Sequence, residues 1–188
     1  EILKPGATVA LETAANPDRK TKYSIIAAKK EDVWVNIDSQ IPNKVAYGAI
    51  TDGKMKEFLG ITGLKREVTY EGSRFDLFYQ RDETPGFIEV KGVTLEQDGH
   101  AMFPDAPTLR GTKHVETLIK AVEAGYEASI LFIIQMKGCH IFTPNRKMDP
   151  VFYEALCQAA EKGVRLIAYD CVVTESTITL NQEIPISL

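Results

Sequence analysis

The chain reads as an α+β / α/β protein with two unequal parts: a short all-β stretch over residues 1–40 and a mixed sheet flanked by helices over 41–188. Three observations lead there. Residues 1–40 read as short strands separated by turn residues. From residue 42 the predicted order is helix, three strands, helix, strand, helix, strand. Within it, Ile130-Leu131-Phe132-Ile133-Ile134 is an unbroken apolar run of strand length, as expected of a strand covered by helices on both faces.

The first strands are Ala7 to Glu12, Tyr23 to Ala28 and Val33 to Ile37, punctuated by Pro5-Gly6, Asn16-Pro17-Asp18 and Glu31-Asp32. They belong to a small antiparallel barrel or sandwich that is not self-sufficient. Ile41-Pro42-Asn43 breaks the chain. Val45 to Ile50 and Lys54 to Leu59 follow as a helix interrupted by Asp52-Gly53. Strands are expected at Lys65–Tyr70, Arg74–Gln80 and Gly86–Thr94. Thr108 to Ala124 carries a helical stripe, with Thr108 as N-cap and Gly125 as C-cap. After the apolar strand, Pro150 to Lys162 is a helix with proline in its first turn. Val164 to Val173 is a strand, and Ile178 to Leu188 holds one or two edge strands limited by Pro185. This order is that of a restriction-endonuclease-like core. A doubly wound dinucleotide fold would need G-x-G-x-x-G after its first strand, and there is none.

Composition narrows the function. With 188 residues, 44% of them hydrophobic and 26% charged, the chain is an ordinary globular protein. A net charge of −4 excludes a globally basic nucleic-acid wrapper, so any such binding rests on local patches. Cys139, Cys157 and Cys171 lack C-x-x-C spacing and read as reduced thiols. No apolar run reaches membrane-spanning length, so no membrane association and a cytoplasmic location are expected.

The most informative residues are Glu89 and Lys91, two charges inside Phe87-Ile88-Glu89-Val90-Lys91-Gly92-Val93, where burial is expensive without a purpose. Being two apart on a strand, they share a face, with Ile88, Val90 and Val93 available for the other. On the preceding strand Phe75 and Leu77 would point one way, and Arg74, Asp76 and Phe78 the other. A hairpin through Asp82 to Gly86 would bring Asp76 beside Glu89. An acid followed by Glu-x-Lys is the arrangement with which nucleases hold Mg²⁺ (or Mn²⁺) against a phosphodiester. Asp76, Glu89 and the Val90 carbonyl are the candidate metal ligands. Lys91 is the group that orients water and meets phosphate charge. The plain alternative is a surface ion pair. Pro104-Asp105 comes after Lys91 on another element, so the ligand role falls to Asp76.

Arg74 and two basic segments are candidate DNA contacts. Arg110, Lys113 and His114 share one face near the start of a helix, unless Asp105 pairs with Arg110 on a merely solvated face. Arg19, Lys20 and Lys22, with Lys29 and Lys30, make residues 18–30 locally basic beside Tyr23 and Trp34, unless they only keep a hairpin soluble. Gln135, at the end of the apolar strand, either faces the site or satisfies backbone groups. His100 and His140 have no partners by spacing.

Ser73-Arg74-Phe75-Asp76, Ile88-Glu89-Val90-Lys91-x-Val93-Thr94-Leu95, Phe103-Pro104-Asp105-Ala106-Pro107-Thr108-x-Arg110-Gly111-x-Lys113-His114, Asp149-Pro150, Gly163-Val164 and Ile184-Pro185-Ile186-Ser187-Leu188 resemble the sugar fermentation stimulation protein A family over essentially the whole chain. The resemblance implies an amino-terminal OB-like domain followed by a restriction-endonuclease-like (PD-(D/E)xK) domain. It also implies DNA binding without sequence specificity and a link to regulation of sugar (maltose) metabolism. Members carry some tens of residues before the segment matching Leu3-Lys4-Pro5-Gly6, so the OB-like domain is expected to lack its first strands. Where members often carry a Glu beside Ala49, this chain has Tyr47-Gly48, leaving Glu57 or Glu67 as substitutes. Two readings follow: a DNA-binding protein with a nuclease-like metal site, and an active Mg²⁺-dependent endonuclease using Asp76, Glu89 and Lys91. Oligomeric state is open, a homodimer included.

Overall fold

The computed structural model describes residues 2–14, 16 and 18–188. Pro17 of the expected Asn16-Pro17-Asp18 turn lies outside these. Strands β1 (Val9–Thr13), β2 (Tyr23–Lys30) and β3 (Val33–Asn36) form an antiparallel sheet in that order. It is docked on the rest of the protein. Val35 is fully buried in the main core. Asn36 N–H donates to the Gln135 carbonyl at 2.9 Å. The Gln135 side-chain amide in turn donates to the Asn36 carbonyl at 3.0 Å and the Asp38 carbonyl at 3.2 Å. Gln135 therefore satisfies backbone groups, the plainer of its two sequence readings.

Helix α1 (Ile41–Thr51) begins at Ile41. Pro42 lies inside its first turn, where a missing N–H loses no hydrogen bond, so the proline opens this helix and does not delay it. The expected second half shrinks to one 3-10 turn, Lys56–Phe58, because Gly53 at φ 66° ends the helix.

Next come β4 (Thr62–Tyr70), β5 (Ser73–Arg81), β6 (Thr84–Val93), β7 (Leu95–Gln97), β8 (His100–Phe103), α2 (Leu109–Glu123), β9 (Glu127–Ile134), β10 (Ile141–Pro144), α3 (Pro150–Glu161), β11 (Arg165–Val173) and β12 (Ile178–Glu183). Six strands make the main sheet, in the order β12-β11-β9-β6-β5-β4. β4, β5 and β6 form an antiparallel meander, β6, β9 and β11 run parallel, and β12 closes the edge antiparallel. β10, β8 and β7 form a second small sheet. Its strands have only three or four residues each, too few for a periodic signal.

β9 shows why two layers form. Ile130, Phe132 and Ile134 face the core under α2 and α3, while Leu131 and Ile133 face the core under α1, and all five are fully buried. Each contributes about 1.5–3 kcal/mol of apolar burial. Thr108 caps α2 by accepting from Gly111 N–H at 3.0 Å, and Asp149 caps α3 by accepting from Phe152 N–H at 2.9 Å. A Cβ on Gly111 would lie 2.8 Å from the Thr108 side chain and 3.2 Å from Phe152, so only glycine lets the cap and the α2–α3 contact coexist.

β5 departs from regular alternation at one residue. Phe75 packs in the α2/α3 layer and Leu77 in the α1 layer, although residues two apart normally share a face. Pairing with β4 runs Val68↔Phe75 and Arg66↔Leu77, and skips Asp76. Glu67 between them holds φ 55°. The expectation that Phe75 and Leu77 point the same way fails here, because the strand turns over at Asp76. On β6, Val93 packs in the α2/α3 layer, on the side of Glu89 and not of Val90. Among the described residues, no helix is long and apolar enough to cross a membrane.

Candidate metal centre

The irregularity at Asp76 builds the site. Regular pairing of β5 with β6 runs only as far as Leu77↔Ile88. Beyond it the strands part, and the Asp76 carboxylate takes the place of a backbone partner: Val90 N–H donates to its Oδ2 at 2.8 Å. Asn43, in the first turns of α1, donates to Oδ1 at 2.6 Å. An extended residue directs its N–H and C=O to the same side, so the Val90 carbonyl also lies toward Asp76.

Glu89 projects toward α2. It is 3% exposed, and both of its donors converge on one oxygen. Lys91 Nζ lies 2.6 Å from Oε1, and His114 Nδ1 lies 2.5 Å from the same atom. Glu89 Oε2 is buried without a hydrogen-bond partner. An orphaned carboxylate oxygen in a folded core costs free energy unless something outside the chain satisfies it.

The two acids are tuned apart. Burial and the neighbouring Glu89 charge push the Asp76 carboxyl above its ordinary range, against the pull of Val90 N–H, Asn43 and Lys91. Burial also pushes Glu89 upward, but hydrogen bonds and charges from His114 and Lys91 outweigh it and hold that carboxyl below its usual range. Glu89 is thus an ionised acceptor.

This donor set fits a hard divalent cation. Glu89 Oε2 has open lone pairs, Asp76 adds a second carboxylate, and the Val90 carbonyl is a neutral oxygen on the same side. Among the described residues, no group of three or more His, Cys, Asp or Glu side chains is arranged to hold a metal. Water or phosphate oxygens would complete the shell. A Cβ on Gly92 would fall 2.5 Å from Gln135 Oε1 and 2.7 Å from Pro42, so glycine permits α1 to close on the strand beside Lys91.

Of the residues read from sequence, the structure brings Asp76, Glu89, Lys91 and His114 together. His114 is 5% exposed and held by Glu89; it is part of this cluster and not of the exposed basic face of α2. Arg110 and Lys113 are on that face, exposed. Asp105 is exposed as well. Arg74 is exposed and sits 3.9 Å from Glu67. Arg19, Lys20 and Lys22 are exposed on the β1–β2 connection, where Arg19 donates to Ser24 Oγ at 2.6 Å. Lys30 is drawn away from any basic patch by Glu96, at 2.5 Å.

The substitute acids do not arrive. Glu57 accepts from the Tyr169 hydroxyl at 3.1 Å, in a different polar cluster. Glu67 is exposed beside Arg74. Gly48 lines a groove between α1 and β12 with Ile41, Lys44, Val45, Ile178 and Leu180. A Cβ at that position would meet nothing within 4 Å, Asp76 included. The α1 residue that does face Asp76 is Asn43, which sequence reading missed. Its one available signal was a polar side chain directly after Pro42 at a helix start.

A family model described as the sugar fermentation stimulation protein RE domain matches residues 40–177. A model described as the SfsA N-terminal OB domain matches residues 1–37. The chain is 51% identical over 189 residues to a sugar fermentation stimulation protein homolog from Clostridium botulinum (strain Langeland), covering 100% of this chain and 82% of that one. It is 49% identical over 191 residues to the homolog from Alkaliphilus oremlandii, covering 99% and 81%. A solved structure described as Pyrococcus furiosus SfsA in complex with Ca²⁺ matches with a TM-score of 0.87 at 28% identity, over 95% of this chain and 77% of that one. These matches bear out the fold read from sequence: an OB-type sheet followed by a mixed sheet with helices.

Proposed function

The chain belongs to the sugar fermentation stimulation protein family, and from that footing we propose that it is a DNA-binding protein that grips the phosphodiester backbone at a divalent-cation site formed by Asp76, Glu89 and the Val90 carbonyl. The observation that carries this reading is Glu89 Oε2, buried with no partner while Oε1 holds both Lys91 and His114. The relative described with Ca²⁺ supports the cation. Mg²⁺ or Mn²⁺ meets the same oxygen ligands.

A bound divalent cation supplies Lewis acidity to a phosphate oxygen and lowers the pKa of a coordinated water. The chain's own residues do the rest. Asp76 and Glu89 supply negative charge. Asn43 and Val90 N–H hold Asp76 in place. Lys91 sets a compensating ammonium beside the phosphate. Arg110 and Lys113, exposed on the same helix as His114, meet flanking phosphates. Arg74 and the β1–β2 residues Arg19, Lys20 and Lys22 extend the grip. Contacts of this kind read backbone and not bases, so binding is not sequence-specific. The link to sugar metabolism comes with the family.

The test is binding to a short duplex across a salt series. Affinity falls with salt in proportion to the phosphates neutralised. An interaction indifferent to salt, or none with any DNA, overturns the reading.

One observation favours a second reading, cleavage of the DNA. Lys91 is only 14% exposed and lies against Glu89, which supports a Mg²⁺-dependent endonuclease using Asp76, Glu89 and Lys91. Wild type should then nick supercoiled plasmid with Mg²⁺ or Mn²⁺, and Lys91→Ala should not. Equal nicking by both, or none by wild type at high protein concentration, removes this reading.

A further inference from the structure

His114 lies inside the protein, where it cannot touch DNA, yet it is not a plain core residue. Its ring is 5% exposed and packs edge-on against Phe75, with centroids 5.9 Å apart. Its Nδ1 is 2.5 Å from Glu89 Oε1. A carboxylate has no hydrogen to give, so Nδ1 carries the proton and donates.

The geometry around Glu89 is lopsided. Oε1 receives His114 and Lys91, while Oε2, equally buried, receives nothing. The last torsion of a glutamate is broad and nearly two-fold. Left alone, the two oxygens would exchange, and neither would be presented in a fixed direction. Lys91 is a poor lock by itself. Its ammonium is a point charge on a flexible four-carbon stem, and a phosphate arriving at the site competes for it. An imidazole on a helix, wedged by Phe75, has no such freedom.

We infer that His114 is a positioning residue. It pins Glu89 through Oε1, which leaves Oε2 as the oxygen that would meet a cation held together with Asp76, and it would keep doing so when Lys91 turns to phosphate. This inference rests on the cation reading above. A ligand carboxylate held by a second group is a general feature of metal sites, and removing the holder weakens metal affinity by about 10–100-fold.

The experiment is calorimetric titration of Ca²⁺ into the full chain, using wild type, His114→Ala, His114→Asn and His114→Gln, with circular dichroism to confirm folding. The Asn amide can place N–H where Nδ1 stands, whereas the Gln amide reaches toward the Nε2 position. Ca²⁺ affinity should fall about 10–100-fold in His114→Ala, return near wild type in His114→Asn and stay low in His114→Gln. If His114→Ala does not fold, the Asn and Gln variants carry the comparison. Equal affinity in all four proteins overturns the positioning role and leaves the cation site standing, as does equal weakness of folded Asn and Gln variants. No Ca²⁺ binding by wild type removes the cation reading and the inference with it.

Discussion

Two glutamates anchor polar clusters on opposite faces of the same sheet, each gathering its donors on one oxygen, and they differ in what becomes of the other. Glu127 opens β9 and faces the α1 layer. The Tyr79 hydroxyl, Arg165 and Arg81 Nε donate to its Oε2 at 2.5, 3.0 and 3.2 Å, and Arg81 Nε also lies 3.1 Å from Oε1 as an ion-pair contact. Arg81 and Arg165 also donate to the Glu57 carbonyl, closing the network onto the 3-10 turn. Oε1 keeps the Arg81 ion pair, and the Glu127 side chain is 28% exposed, so neither oxygen is shut away without a partner. Glu89 has more donors than it needs on one oxygen and none on the other. A complete network contributes to folding. An incomplete one, buried and held on one side by His114 and Lys91, leaves a place for a ligand.

The sharpest break of this contrast is a pair of isosteric variants. Glu127→Gln weakens charged hydrogen bonds from Tyr79, Arg81 and Arg165 and should cost about 2–3 kcal/mol. That corresponds to a Tm lowered by about 5–10 °C for a chain of this size. Its Ca²⁺ affinity should be unchanged. Glu89→Gln removes a buried charge that is only half-satisfied, so its Tm should shift less, while Ca²⁺ binding is lost. Scanning calorimetry with and without Ca²⁺ reads both. Parallel behaviour of the two variants would erase the distinction.

A smaller effect appears in acid. Burial pushes the Glu127 carboxyl up, but Tyr79, Arg81 and Arg165 outweigh it and hold the carboxyl below its ordinary 4.5. The unfolded chain therefore binds the proton more tightly in that window. The stability from this cluster is complete above about pH 4.5 and is lost as pH falls through the lower folded value. Urea midpoints against pH should show a shallower acid decline in Glu127→Gln than in wild type. Identical profiles would mean that the cluster does not couple to folding.

The smallest effect checks that the apolar layer behind each cluster is closed. Cys139 lies in the α2/α3 core and Cys171 in the α1 core, with burial pushing their thiols up to about 11 and about 12. Cys157 is half-buried. A thiol reagent near neutral pH should modify Cys157 first and leave the other two until unfolding. Early reaction of Cys139 or Cys171 would show an open layer.

Much of this was legible in the sequence, for identifiable reasons. Two charges inside the apolar run Phe87–Val93 mark a site because burial without purpose is costly. The run Ile130–Ile134 marks a doubly covered strand. What escaped depends on tertiary geometry. The turnover of β5 at Asp76 leaves no trace in alternation, because Phe75 and Leu77 are apolar on either face. His114 shares a helix face with Arg110 and reads as surface, but its side chain points into the sheet. Glu57 reads as a spare acid, but Tyr169 and the arginines beside it hold it elsewhere. Asn43 had no pattern to announce it. Pro42 before it reads as a break unless the helix is known to start at Ile41.

On the function proposed above, the free oxygen of Glu89 is a cation site serving a phosphodiester. Its most direct test is the affinity of a short DNA duplex for wild type and for Glu89→Gln, each with Ca²⁺ and with a chelator. Ca²⁺ should tighten binding by wild type and leave Glu89→Gln at the level of the chelated protein. Affinity that ignores Ca²⁺, or that Ca²⁺ raises equally in both proteins, would contradict it.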